Sequence, residues 1–247
     1  MRGARIVVVV LGFFGASARA DPAADIAQIH LEAIGGRARI AAMQGLRMSG
    51  VVVVGTQRLR FRMIAARPNR VRLETQNGGR TLINASDGVE PAWEFDTGTW
   101  PPRYHEMAPA AARGFTADAE FDDPLVAGSA RGFALDYAGE TEFDGRKMLR
   151  LLVTKNLADS FTLLIDAETY FVMLRAEERM TTTGRKRKIL TRYDDFRPVD
   201  GVLLPHRVTL MTDGRVEQQM IVEKIETNPE LTAETFTRPK APAAGKK

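Results

Sequence analysis

The stretch RLRFRMIAARPNRVRLETQNGGRTLINASDG, residues 58–88, decides the fold of this chain. Apolar side chains alternate with arginines from Arg58 to Met63, and a period of two is typical of a half-buried β-strand. The run Asn77-Gly78-Gly79 interrupts the pattern before the next strand, and such residues tolerate the positive φ angles that tight hairpins require. We therefore predict antiparallel strands joined by short turns, with the arginines on the outer side.

The same alternation extends along most of the remaining chain. It predicts strands at residues 46–54, 59–65, 70–76, 80–85, 93–96, 133–142, 147–155, 160–166, 171–181, 186–196, 203–212 and 215–227. Turn pairs such as Asp144-Gly145 and Asp200-Gly201 separate neighbouring strands. A mainly β meander of about 11 or 12 strands twists toward a barrel or half-barrel, so one apolar face should be concave.

Two parts of the chain depart from the strand pattern. Asp21-Pro22 is typical of a helix start, and apolar residues then recur at helical spacing until Gly35-Gly36, so we predict a short amphipathic helix. Residues 100–132 form a long connection with an Ala-rich piece. Connections of this length inside a β domain are often functional lids.

The two ends of the chain differ in composition from the middle. Residues 1–20 have a positive start, an apolar run and small residues at the end, which together predict a signal peptide cleaved after Ala20. Residues 240–247 contain only Ala, Pro, Gly and Lys and are predicted to be a disordered tail. We expect a single domain over residues 21–239, because no linker divides it.

Composition and motifs argue against several classes of function. Without the three arginines of the leader the formal net charge falls from +4 to +1, so no nucleic-acid partner is predicted. His30, His105 and His206 lie far apart and form no His-Glu-x-x-His motif, so we predict neither a metal site nor a cofactor. The sequence has no Gly-x-Ser-x-Gly elbow, phosphate loop or dinucleotide fingerprint, which predicts a protein that is not an enzyme.

Two motifs resemble those of a known family. Arg67-Pro68-Asn69 follows an alternating strand, and Leu82–Gly88 leads to an aromatic strand at Trp93. Their order and spacing resemble those of the LolA/LolB-like superfamily of periplasmic lipoprotein carriers, the outer membrane lipoprotein-sorting proteins. The resemblance implies an open antiparallel half-barrel of about 11 strands whose concave face is covered by short helices. It also implies that Arg67 controls a helical lid.

The resemblance further implies a function and a set of partners. We expect a periplasmic carrier that binds lipoprotein acyl chains or another lipid in an apolar hollow and transfers them toward the outer membrane. Membrane-bound donor and acceptor proteins are the expected partners, and the carrier is expected to be a monomer. The alternative is an envelope regulatory or scaffolding module that senses lipoproteins or protein partners, because similarity of fold does not fix the cargo.

Apolar and aromatic side chains of the predicted strands are the candidate ligand-binding residues. They are Leu59, Phe61, Met63, Val71, Leu73, Trp93, Leu149, Leu151, Phe161, Leu163 and Ile165. The same alternation also fits side chains that fill a closed core, because a period of two identifies a buried face without showing a vacant space.

Overall fold

The computed structural model describes residues 21–118, 124–127, 132–156, 159–180 and 184–238. The predicted signal peptide at residues 1–20 and the predicted tail at residues 240–247 lie outside the described residues. Within the described ranges, 13 strands form a single open sheet. The predicted mainly β, open antiparallel fold is confirmed, with 13 strands instead of about 11.

The helices and strands have the following bounds. The helices are α1 (Pro22–Ala33), α2 (Arg37–Ala42), α3 (Pro109–Asp118) and α4 (Pro124–Ala127). The first six strands are β1 (Gly45–Val54), β2 (Gln57–Ala66), β3 (Arg70–Asn77), β4 (Arg80–Ser86), β5 (Trp93–Asp96) and β6 (Arg103–Glu106). The other seven are β7 (Ala134–Phe143), β8 (Arg146–Asn156), β9 (Asp159–Asp166), β10 (Val172–Met180), β11 (Lys186–Val199), β12 (Val202–Thr212) and β13 (Arg215–Thr227). Strand β6 is the one that the sequence does not predict, since it lies inside the long connection.

The strand order is that of two meanders joined side by side. It runs β6-β5-β4-β3-β2-β1-β13-β12-β11-β10-β9-β8-β7, so the first and last strands of the chain, β1 and β13, meet in the middle. Strands β6 and β7 are the two edges of the sheet. The connection between them carries α3 and α4, and the chain therefore passes from one edge of the sheet to the other.

The joint between the two meanders depends on a glycine. The register of β1 against β13 shifts between Ser49 and Gly50, which marks a β-bulge. A Cβ atom on Gly50 would lie 2.0 Å from the carbonyl oxygen of Ile221. Only a residue without a side chain allows the two backbones to approach this closely.

Helix α1 is held at both ends. Asp21 precedes the helix and its carboxylate accepts a hydrogen bond from the amide of Ala23 at 3.0 Å, as expected of an N-cap. Near the other end, Nδ1 of His30 lies 2.7 Å from the carbonyl oxygen of Tyr170, in the turn between β9 and β10. Ala23, Ile26 and Ala27 are buried between α1 and the sheet.

The turn that receives His30 is organised by a buried carboxylate. Asp166 accepts hydrogen bonds from the amides of Glu168 and Thr169 and from the Thr169 hydroxyl, and it pairs with Arg146 at 2.8 Å. Burial by itself raises the pKa of Asp166, but the hydrogen bonds from Thr169 and the charge of Arg146 outweigh burial. The net result is a pKa below the usual value for this carboxyl, so the charged form stabilises the turn.

Helix α3 lies over the face of the sheet that α1 covers. A Cβ atom on Gly114 of α3 would lie 3.7 Å from Nη1 of Arg179 on β10. Ala112 of α3 shares an open pocket with Ser86 of β4 and Lys155 of β8. Because β4 belongs to the first meander and β8 and β10 to the second, α3 spans the space between them.

Candidate ligand-binding hollow

The register of the strands divides the sheet into two faces. Directly paired residues of antiparallel strands point to the same side. The pairs Met48–Met63 and Met63–Leu73 belong to the face on which the helices lie, which is called the inner face below. The arginine row is on the other side, since Arg62 pairs with Glu74 and Ser49. The predicted separation of apolar and arginine faces on the second strand is therefore confirmed.

A hollow of about 280 Å³ opens on the inner face in the middle of the sheet. It crosses the joint between the two meanders, from β2 on one side to β10 on the other. Its lining residues are Leu46, Met48, Met63, Ala65, Arg175, Thr191, Tyr193, Leu204, Pro205, Val208, Leu210, Gln218, Met220, Val222 and Ile225. Most of these side chains are apolar and remain partly exposed. Ligand pockets typically measure ~300–1,000 Å³, so this volume lies just below that range.

Helix α1 closes one side of the inner face. The five candidate residues of the second meander lie beneath it in one cluster with Ala23 and Ile26, and Leu125 of α4 completes the cover. They are Leu149, Leu151, Phe161, Leu163 and Ile165, none of which is more than 9% exposed. In this part of the sheet the side chains fill a core.

The candidate residues of the first meander flank the hollow. Met63 lines it, and Leu59 and Leu73 pack beside it in a cluster with Phe61 and Met220. Phe61 is itself buried, as is Val71, which lies two residues before Leu73 on the same face. Of the eleven candidates, only Met63 borders the vacant space.

Trp93 lies on the opposite, outer face of the sheet. It pairs with Ala85, which pairs with Arg72, so its ring shares the side of the arginine row. The indole is only 2% exposed, and its Nε1 donates to the carbonyl oxygen of Phe236 at 3.2 Å. The structure therefore separates Trp93 from the other candidates and from the hollow.

Arg67 contacts the second helix. Its Nη2 donates to the carbonyl of Ile40 at 3.2 Å, and its Nη1 donates to the carbonyl of Ala41 at 3.4 Å. Both carbonyls belong to the last turn of α2, where a cation is favoured by the helix dipole. Ile40 packs in a cluster with Leu31, Met43 and Val202. Two partly buried residues that line the hollow, Leu46 and Leu204, pack against this cluster. Arg67 thus anchors a helix at one end of the hollow.

Sequence reasoning missed most of the residues that line the hollow. Val208 and Leu210 on β12 alternate with Arg207 and Thr209, which is the same signal that identified Met63. Arg175 carries no such signal, because a charged residue is ordinarily assigned to the solvent side of a strand.

Among the described residues, no group of three or more histidine, cysteine, aspartate or glutamate side chains could hold an ion. No helix of this part of the chain has both the length and the apolar character of a membrane-spanning segment.

Comparison with known proteins finds similarity in structure but not in sequence. No sequence-family model matches the chain, and no curated protein matches it. Solved structures do match over nearly the whole length. A domain from Vibrio parahaemolyticus named for outer membrane lipoprotein sorting superposes with a TM-score of 0.57 at 10% identity, covering 87% of this chain and 96% of that one. A LolA superfamily protein from Nitrosomonas europaea gives 0.55 at 13% identity, covering 87% and 98%.

The chain has the LolA fold. A DUF1329 family protein from Desulfovibrio piger shares it as well, with a TM-score of 0.58 at 9% identity over 88% of this chain and 98% of that one. In this version of the LolA fold, α1 and α4 close one part of the inner face and leave the hollow around Met63 and Val208 open.

Proposed function

We propose that this chain is a periplasmic carrier that holds an acyl chain of a lipoprotein, or of another lipid, in the hollow of its inner face and delivers it toward the outer membrane. The observation that carries the proposal is a vacant apolar space of about 280 Å³ between the two meanders. The periplasmic location follows from the predicted signal peptide. Donor and acceptor proteins in the two membranes are the partners that such a carrier needs.

The composition of the hollow favours an acyl chain over a polar ligand. Met48, Met63 and Met220 lie on three adjacent strands and border the space. Methionine side chains are unbranched and flexible, so they adapt to guests of different shape. Each methylene moved from water into such a surface gains about 0.8 kcal/mol. Ten methylenes then contribute about 8 kcal/mol on the same scale, part of which offsets the loss of translational and rotational freedom on binding.

The helices offer a route for release. Helix α2 has only six residues, which is too short to be stable without its contacts to Arg67 and the sheet. A small displacement of α2 would expose Leu46 and Leu204, which pack against its cluster at the end of the hollow. Arg67 would then set how often α2 leaves its position, which is the lid-control role proposed for this residue.

Binding of a neutral acyl probe tests the proposal. The probe is the methyl ester of a pyrene-labelled fatty acid, titrated into the purified protein, and lipids that copurify with the protein are extracted and weighed by mass spectrometry. Val208→Trp places an indole in the hollow, and we expect it to weaken binding of the ester at least tenfold. Val216→Trp is the matched control, since Val216 on β13 is 63% exposed and lies outside the hollow.

The results separate the proposal from its alternative. Binding of the ester that is lost in Val208→Trp and kept in Val216→Trp supports the carrier. A protein that copurifies with no lipid and binds neither the ester nor the free labelled fatty acid contradicts the carrier and favours a module that recognises proteins.

A further inference from the structure

Among the described residues, one charged side chain borders the apolar hollow. Arg175 lies on the inner face of β10, where it pairs with Leu163 of β9 and Thr191 of β11. Both Arg175 and Thr191 line the hollow. Only 12% of the Arg175 side chain is exposed, although an arginine on a strand ordinarily reaches solvent.

The contacts of Arg175 leave part of the guanidinium without a partner. Its Nη2 donates to Glu177 at 3.1 Å, and the guanidinium carbon lies 4.1 Å from the centre of the Phe161 ring. Nε is buried and has no hydrogen-bond acceptor among the described residues. Glu177 is only 9% exposed and is shared, because it also pairs with Arg179. The single carboxylate thus serves two arginines.

The buried Nε without an acceptor is unfavourable for folding, although Glu177 and the Phe161 ring stabilise the rest of the guanidinium. A guanidinium stays charged at all accessible pH values and carries five N–H donors, and a buried donor without an acceptor is destabilising. Replacing a buried ion pair by apolar residues of similar size is often neutral or stabilising. An apolar side chain at position 175 would therefore complete the wall of the hollow at a lower cost in folding free energy. A ligand bound in the hollow therefore explains the positive charge at position 175 better than folding does.

The hollow is also polarised from one side to the other. The side formed by β10 and β11 presents Arg175, Thr191 and Tyr193. The side formed by β1 and β2 presents only apolar groups, among them Met48 and Met63. A guest with one polar end and one apolar end matches this distribution, whereas a purely hydrocarbon guest leaves Nε of Arg175 without an acceptor among the described residues.

We propose that the hollow binds an amphiphile with an anionic headgroup, and that Arg175 binds the oxygen atoms of that headgroup while the acyl chain extends toward Met48 and Met63. The headgroup is a carboxylate or a phosphate, since a guanidinium binds either through charge-assisted hydrogen bonds. This inference rests on the proposed function and specifies the class of ligand that the hollow accepts.

The test compares charged and neutral forms of one probe. The pyrene-labelled fatty acid, its methyl ester and a lysophosphatidic acid with the same labelled chain are titrated into the protein. We expect the wild type to bind the two anionic probes at least tenfold more tightly than the ester. Preference for the acid alone or for the phosphate probe alone identifies a carboxylate or a phosphate as the headgroup, and either result supports the proposal.

Variants assign the preference to Arg175. Arg175→Met is expected to bind acid, ester and phosphate probes alike, with the affinity for the ester within twofold of wild type. Arg175→Gln keeps hydrogen-bond donors without charge and serves if the methionine variant does not fold. The control is Arg60→Met, because the Arg60 side chain is 67% exposed on the outer face and pairs with Glu223. It should leave the preference unchanged.

Each remaining outcome decides a different point. Equal binding of acid and ester by the wild type overturns the role of Arg175 and leaves the carrier proposal standing. If both Arg175 variants bind all three probes equally more weakly than wild type, Arg175 acts only on the shape of the hollow. This result also overturns its role in binding the headgroup. Failure of every probe to bind the wild type overturns the carrier proposal itself.

Discussion

Gly50→Ala should break the joint between the two meanders. The new Cβ atom would lie 2.0 Å from the carbonyl oxygen of Ile221 and 3.0 Å from the amide nitrogen of Glu223. An ordinary contact of 3.4 Å with that oxygen requires a backbone movement of about 1.4 Å. Such a movement lengthens a hydrogen bond of ~2.9 Å beyond 4 Å and therefore breaks it.

The expected loss of stability has two parts. Overpacking costs ~1–3 kcal/mol, and each ladder hydrogen bond that breaks costs ~1 kcal/mol more. We expect the free energy of unfolding to fall by about 3–4 kcal/mol, which lowers Tm by ~6–16 °C for a chain of this size. Gly79→Ala is the matched control, because a Cβ at Gly79 meets no atom of the described residues within 4 Å. Its effect should stay within ~0.5 kcal/mol of wild type.

Urea unfolding of both variants, followed by circular dichroism, measures these values. The urea concentration at the midpoint of unfolding should be lower for Gly50→Ala than for wild type and unchanged for Gly79→Ala. If the free energy of unfolding of Gly50→Ala lies within ~1 kcal/mol of the wild-type value, the close approach of β1 and β13 at this bulge is contradicted.

Three further predictions concern Arg67, Asp166 and Trp93. Arg67→Leu removes the hydrogen bonds to Ile40 and Ala41, so hydrogen exchange of the α2 amides should accelerate and the ester probe should dissociate faster; unchanged rates would remove the lid-control role. Asp166 has a lowered pKa in the folded protein, so its stabilising effect is complete above the unfolded value of 3.8 and is lost as the pH falls below it. The difference in free energy of unfolding between wild type and Asp166→Asn should accordingly be constant near neutral pH and shrink below pH ~4, and a difference that grows in acid would contradict the assignment. Trp93→Phe deletes the hydrogen bond to Phe236 and should reduce stability by ~1–2 kcal/mol without changing affinity for the ester, and weaker binding would place Trp93 at the ligand after all.

The periodicity of the sequence predicted twelve of the thirteen strands. The alternation around Phe61 placed the apolar and arginine rows on opposite faces, and Asp-Gly and Asn-Gly pairs marked the turns. The joint between β1 and β13 could not be predicted, because it depends on a contact between residues at opposite ends of the chain. Strand β6 was missed because it has four residues, all exposed, and so shows no alternation of apolar and polar positions.

The candidate site was harder to predict than the fold. Leu151 and Met63 carry the same alternating signal, yet α1 covers the first and leaves the second at the hollow. Trp93 occupies a strand of four residues, whose face is set by its pairing with Ala85 and not by its own sequence. In both cases the deciding contact is between elements distant in the chain, which local periodicity does not encode.

Photolabelling with an acyl chain tests the central claim most directly. A fatty acid methyl ester with a diazirine near the end of its chain is bound to the protein, irradiated, and located by mass spectrometry of the peptides. If the vacant space between the meanders holds the chain, the label should appear on Met63, Val208 and Met220. Labelling of the outer face around Trp93, or no specific labelling at all, would contradict the account.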